Sequence, residues 1–150
     1  MNPEASGSPR AEVLSELRGL RARLSHVEGS VVASTDGMII AHDLGATETY
    51  GVVPEGVAAF AAANLSLSQQ IANSASHGDL QETVIRSAYG QVVTYTAGER
   101  ALLTVLVRAT ADVGGLRADA REVADRVATL LAIEWEQDDA ASWSGLGPSL

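Results

Sequence analysis

One stretch near the N-terminus, residues 28–43, constrains the fold of this chain more than any other. Asp36 and Gly37 divide it into two short runs rich in β-branched and apolar residues. Asp-Gly between such runs predicts two antiparallel strands joined by a tight type I′ turn, because both central positions of that turn need a positive φ. The runs are apolar almost throughout, which is typical of a strand covered on both faces. We therefore expect a sheet with helices above and below it.

The rest of the chain supplies those helices and further strands. Apolar residues at helical spacing predict a helix before the hairpin, a second after it and a third near the C-terminus, over residues 11–26, 55–76 and 116–135. Three strands are predicted between the second and third helices, over residues 80–87, 91–96 and 100–108. The last of these is the most apolar, which predicts a central position in the sheet. The short links between strands make the pairs antiparallel. The prediction is an α+β sandwich of order α-β-β-α-β-β-β-α, a five-stranded antiparallel sheet with helices on both faces.

The ends of the chain read differently from its middle. We predict a disordered tail over residues 1–9, one domain over residues 10–136, and a second disordered tail over residues 137–150, first acidic and then rich in Ser, Gly and Pro. The start lacks the basic residues and apolar run of a signal peptide. Because no apolar run approaches the ~20 residues that cross a bilayer, we expect a cytoplasmic protein without direct membrane insertion.

Composition excludes several kinds of site. The net charge of −9 disfavours nucleic acid, whose phosphates an acidic domain repels. The chain has no cysteine, which excludes disulfides and thiolate ligands. It contains neither a nucleotide-binding P-loop nor the Ser-centred elbow of hydrolases. The histidines, at positions 26, 42 and 77, stand singly. We therefore predict no catalytic, cofactor-binding or metal-binding residues and expect no enzyme.

The second helix has no charged residue between positions 56 and 76. One of its stripes consists of Phe60, Asn64, Leu67 and Ile71. A helix on the surface of a monomer normally carries charge on its outer face. Either a partner covers this helix, or it lies fully buried inside the domain.

The strand over residues 80–87 follows that helix and is a candidate for a sheet edge. Glu82, Val84 and Arg86 alternate onto one face of it. If two copies pair antiparallel about an axis at Val84, Glu82 of each copy faces Arg86 of the other. We therefore hypothesise a homodimer through the helix and this strand. Alternatively, the two charged residues only keep the strand soluble.

The region around the hairpin resembles the Roadblock/dynein light chain family. The order of elements over about residues 11–134 matches that of the family. It consists of an amphipathic helix, the hairpin of residues 27–41 with Gly29 before the Asp36–Gly37 turn, an Ala-rich helix and three strands. The resemblance implies a profilin-like sandwich and homodimers built from the second helix and third strand. It also implies a non-catalytic partner of small Ras-like GTPases, as in bacterial polarity regulators of the MglB type. The Ala- and Arg-rich composition is similar to actinobacterial versions, whose operons also encode a sensor-kinase-like protein and a GTPase.

Two functions follow from these features. In the first, the chain is a dimeric regulator or scaffold in a bacterial signalling or polarity system, reaching any membrane only through its partners. A GTPase then contacts the outer surface of the paired helices, where four neutral polar residues are candidates, Asn64, Gln69, Gln70 and Asn73. In the second, the chain is a small-ligand-sensing domain, and these four residues line a pocket between helix and sheet. The sequence leaves both open.

Overall fold

The structure is a computed structural model that describes residues 8–146, without the side chains of residue 49 and residues 141–146. It contains three α-helices, α1 (Pro9–Arg23), α2 (Pro54–Ser74) and α3 (Val113–Leu146), and a 3-10 helix at Gly45–Tyr50. Five strands complete the order, β1 (Val27–Ser34), β2 (Ile39–Asp43), β3 (Glu82–Ser87), β4 (Gly90–Ala97) and β5 (Ala101–Val107). The predicted element order is confirmed, with a 3-10 turn inside the predicted loop after β2.

All five strands form one antiparallel sheet in the order β2-β1-β5-β4-β3. The most apolar strand, β5, lies at the centre as predicted, because its neighbours and the helices exclude water from both its faces. The strand predicted as an edge, β3, is an edge, and β2 is the other. Helices α1 and α3 cover one face of the sheet, and α2 covers the other.

The sheet separates two hydrophobic cores. On the α1 and α3 side, Leu17, Val32 and Val105 belong to the larger core. On the α2 side, Val31 and Leu102 pack against buried alanines of α2. Consecutive residues of β1 therefore enter opposite cores, which explains why this strand is apolar almost throughout.

The turn between β1 and β2 is not the predicted type I′ turn. Only Gly37 has a positive φ, 91°, whereas a type I′ turn needs two such residues. The backbone N–H of Gly37 donates to the carbonyl of Ser34 at 3.0 Å, and the Ser34 hydroxyl accepts from the N–H of Met38 at 3.1 Å. Ser34 thus closes a four-residue connection, so Asp36 needs no left-handed conformation. Gly29 lets β1 lie close to the end of β2, since a Cβ there would lie 2.8 Å from the Cα of Leu44.

The predicted limits of the domain need correction at both ends. Pro9 opens α1 rather than ending a disordered tail, because the Ser8 hydroxyl caps the helix by accepting the N–H of Ala11. Helix α3 begins at Val113, and residues 137–146 continue it where we predicted disorder. Extending a formed helix costs little, and between residues 135 and 144 the sequence has no Gly or Pro to stop it. Residues 1–7 and 147–150 lie outside the described residues.

Ser76, and not the nearby Gly78, closes the end of α2. Ser76 adopts φ 59°, and the N–H of His77 donates to the carbonyl of Ala72 at 2.9 Å, which is a Schellman motif. A non-glycine residue in this conformation is strained by about 1–2 kcal/mol.

We expect Ser76→Gly to raise the free energy of unfolding by about 0.5–1 kcal/mol, the relieved strain less the entropy of a new glycine. Chemical denaturation at fixed protein concentration measures this change. Ser74→Gly is the control, because Ser74 still lies in the helix and the same replacement there should destabilise it by about 0.5–1 kcal/mol. A loss of stability in both variants would contradict the assignment of strain to Ser76.

Candidate partner-binding surface

Helix α2 is neither fully buried nor an ordinary solvent-facing helix. Its buried side consists of Ala58, Ala61, Ala62 and Leu65. Its other side exposes the apolar members of what we call the α2 stripe, with Phe60 78%, Leu67 58% and Ile71 63% exposed, whereas Asn64 is half-buried. Full burial, one of the two alternatives, is therefore wrong. In the isolated chain this uncharged surface faces water.

An apolar groove runs beside the α2 stripe, between α2 and the strands β3, β4 and β5. The small residues of α2 let it approach the turn between β1 and β2 closely, since a Cβ on Gly37 would lie 3.4 Å from the Cα of Ala59 and 3.8 Å from the Cβ of Ala62. On its other side a cavity of about 370 Å³ remains, lined by residues that include Phe60, Ile85, Val92 and Leu106. The last three could not be singled out from the sequence, because each is an ordinary apolar strand residue and only the position of α2 leaves it uncovered.

The edge strand β3 continues this surface. It pairs with β4 without interruption from Glu82 to Ser87, and the structure describes no strand on its other side. Val84 and Ile85 are 41% and 45% exposed. An uninterrupted edge with apolar side chains is a template for pairing with another strand. The α2 stripe, the groove and this edge together form one contiguous candidate surface.

Glu82 makes a contact that the sequence did not predict. Its Oε1 accepts hydrogen bonds from Arg117 at the start of α3, from Nε at 3.1 Å and from Nη2 at 2.5 Å. This bond raises the pKa of Arg117 above its ordinary value. Opposite Glu82 on β4 lies buried Tyr95, and burial together with the Glu82 charge raises the pKa of Tyr95 to about 12. The contact fastens the beginning of the edge strand to α3.

The four polar candidates on α2 have different surroundings. Asn64 lines the groove, while Gln70 and Asn73 are exposed. Gln69 is engaged within the chain, because its side chain accepts the N–H of Leu80 at 3.0 Å and donates to the carbonyl of Gly78 at 3.1 Å. Gln69 therefore holds the connection between α2 and β3, a structural role that the helical pattern alone did not indicate.

Within residues 8–146, no group of three or more His, Asp or Glu side chains could hold a metal ion. In the same part of the chain, no helix combines the length and the apolarity needed to cross a membrane.

Comparison with known proteins identifies the fold. The model of the Roadblock/LC7 domain family matches residues 13–107, more than half of the chain. A Roadblock/LC7 domain from Streptomyces avermitilis superposes with a TM-score of 0.70 at 22% identity, covering 79% of this chain and 97% of that one. The gliding protein MglB from Thermus thermophilus superposes with a TM-score of 0.70 at 20% identity, covering 83% and 91%.

The profilin-like architecture is also confirmed. Profilin IB from Acanthamoeba castellanii superposes with a TM-score of 0.53 at 14% identity, covering 77% of this chain and 96% of that one. No curated protein sequence matches the chain significantly. The family match, together with a five-stranded sheet that has one helix on one face and two helices on the other, shows that the chain is a member of the Roadblock/LC7 domain family.

Proposed function

We propose that this chain is a non-catalytic homodimeric regulator that binds a small Ras-like GTPase in a bacterial signalling or polarity system. The observation that carries the proposal is the uncharged α2 stripe beside an uninterrupted strand edge, along which the described residues place no further strand. Three large apolar side chains of one helix are mostly exposed, and a second copy would remove them from water. Membership of the Roadblock/LC7 family and the similarity to MglB support the same function.

A two-fold axis at Val84 fits the hydrogen bonding of β3. The turn joining Ser87 to Gly90 has two residues, so these two exchange backbone hydrogen bonds, and alternate residues before Ser87 also bond to β4. Val84 lies between such residues, so its backbone N–H and C=O face the free edge. Two copies can then pair through Val84, which brings Glu82 of one copy opposite Arg86 of the other. Within its own chain, Glu82 keeps its hydrogen bond to Arg117.

The same rotation brings the two α2 helices together. A second cavity, lined by Asn64, Ser68, Val84 and Ile85 among others, places the middle of α2 next to the axis. Antiparallel helices centred there would bring Phe60 of one copy near Ile71 of the other. The two apolar ends of the α2 stripe would cover each other, so strand and helix contacts form in one association step.

The GTPase surface in this proposal is the outer side of the paired helices. Gln70 and Asn73 are exposed there, away from the α2 stripe, so dimerisation leaves them accessible. Titration of labelled candidate GTPases, loaded with GDP or with a non-hydrolysable GTP analogue, should show binding that differs between the two nucleotide states. Gln70→Arg together with Asn73→Arg should weaken binding at least about tenfold, since it puts two charges into the contact.

Ala118→Arg is the control for that titration, because Ala118 is exposed on α3, on the opposite face of the sheet from α2. This substitution should leave the affinity for the GTPase unchanged. Sedimentation of each variant checks that the dimer persists. If the dimer forms but no candidate GTPase binds in either state, the GTPase part of the proposal is wrong.

The cavity beside α2 favours the second candidate function, small-ligand sensing. Its walls are mainly apolar, with Val57, Phe60, Val92 and Leu106 among them, and only Asn64 of the four polar candidates lines it. A ligand there would be a small apolar molecule with one polar group for the Asn64 amide. Native mass spectrometry of the purified protein distinguishes the candidates, since a co-purifying small molecule would favour sensing.

A further inference from the structure

The two edges of the sheet are built differently. At the β3 edge, the register with β4 is continuous over all six residues. At the β2 edge, the register with β1 breaks, because Ala33 pairs with Ile39 whereas Val32 pairs with Ala41. Ile40 is the extra residue of this bulge and has no partner in the ladder. Bulges are one of the ways in which edge strands resist pairing with other chains.

A charged side chain covers the bulge. Arg10, near the start of α1, donates from Nη1 to the carbonyl of Ile40 at 3.1 Å. Its Nε donates to Oε1 of Glu134 on α3 at 2.8 Å, and the Glu134 side chain is only 17% exposed. The guanidinium is therefore anchored at one end and occupies a backbone acceptor of the edge strand at the other.

Without this cover, β2 would suit a second copy of itself. Ile39, Ile40 and Ala41 are half-buried apolar residues, so the strand is not protected by its own side chains. Antiparallel pairing of two β2 strands would shield them and satisfy the Ile40 carbonyl. The arrangement is self-complementary, which a two-fold contact requires.

We propose that Arg10 closes the β2 edge against pairing with the β2 strand of a second copy. The role of Arg10 at this edge does not depend on the proposed function. Only the effect on assembly size rests on the proposed function, because a closed β2 edge stops assembly at two chains if β3 edges pair. Two open edges in each chain would instead extend the sheet without limit, as heterologous or repeated contacts do.

The test compares Arg10→Ala with Arg18→Ala, an exposed arginine of the same helix, by sedimentation velocity over a range of concentrations. Each substitution is made in the natural chain and together with Val84→Arg, which blocks pairing at β3. We expect Arg10→Ala to give particles of more than two chains that grow with concentration. With Val84→Arg, it should give pairs of chains, while the Arg18→Ala combination stays single.

Glu134→Gln is a second variant that keeps every side-chain volume and weakens only the anchor of Arg10. It should cause the same association to a smaller extent, which keeps the test valid if Arg10→Ala folds poorly. Identical particle sizes for the Arg10 and Arg18 variants in both backgrounds would overturn the inference. If the natural chain is single and Arg10→Ala pairs it, the inference holds and the proposed dimer fails, so the two failures are distinguishable.

Discussion

Phe60→Glu is expected to dissociate the proposed dimer, raising its dissociation constant at least about 100-fold, which corresponds to about 2.7 kcal/mol. Phe60 is the most exposed member of the α2 stripe, so the single chain loses almost no packing when it is replaced. In the dimer, the introduced carboxylate would have to leave water beneath the partner helix without a counter-charge. Because the contact is two-fold, each dimer meets this cost twice.

Sedimentation velocity from sub-micromolar to high micromolar concentration measures this effect. Ser66→Glu is the matched control, because Ser66 is exposed on the same helix but about 120° around it from Phe60. It should leave the dissociation constant within about threefold of the natural value. A Phe60→Glu chain that remains dimeric, or a natural chain that sediments as a single copy, would refute the interface.

Of the substitutions considered, Gln91→Glu is expected to lower the free energy of unfolding most, by about 3–5 kcal/mol near neutral pH. Gln91 is buried on β4, and its Nε2 donates to three backbone carbonyls of the loop before α3, those of Arg108, Ala109 and Ala111, at 3.3, 3.2 and 2.9 Å. A carboxylate at this position would face three acceptors with nothing to donate. Burial and these carbonyls would raise its pKa above the ordinary value for Glu of about 4.3.

The sign of the pH dependence follows from that raised pKa. Below about pH 4.3 the carboxyl is protonated in both the folded and the unfolded chain, so the free energy of unfolding of the variant is then closest to that of the natural protein. As the pH rises toward the raised pKa of the folded state, the unfolded chain releases its proton more readily, and the deficit grows. Urea unfolding of both proteins at a series of pH values and one protein concentration measures the difference.

Gln91→Met separates the charge from the lost hydrogen bonds. Methionine has a similar length but no donor, so we expect a loss of about 1–3 kcal/mol that does not change with pH. If the deficits of the two variants follow the same course with pH, then the amide does not point at the carbonyls as described. If both deficits stay under about 0.5 kcal/mol, the loop before α3 does not depend on Gln91.

Much of the fold could be predicted because its signals are local. The Asp36–Gly37 pair marked a hairpin, the apolar run of β5 marked a central strand, and the uncharged stretch of α2 marked a surface that ordinary solvent exposure does not explain. Each is a property of neighbouring residues, since hydrophobic periodicity and turn chemistry act over a few positions. The type of the turn was predicted wrongly, because the hydroxyl of Ser34 outside the pair decided it.

By itself, the sequence determined the elements, their order, the sheet they form and the family to which they belong. Only the tertiary structure decided that Glu82 bonds to Arg117, that Gln69 holds a loop, that Ser76 carries the strain at the end of α2, and that Arg10 reaches the bulge at Ile40. These contacts join residues from different elements, or depend on a backbone conformation that packing imposes. Such outcomes depend on where whole helices come to rest on the sheet, and no window of the sequence contains that information.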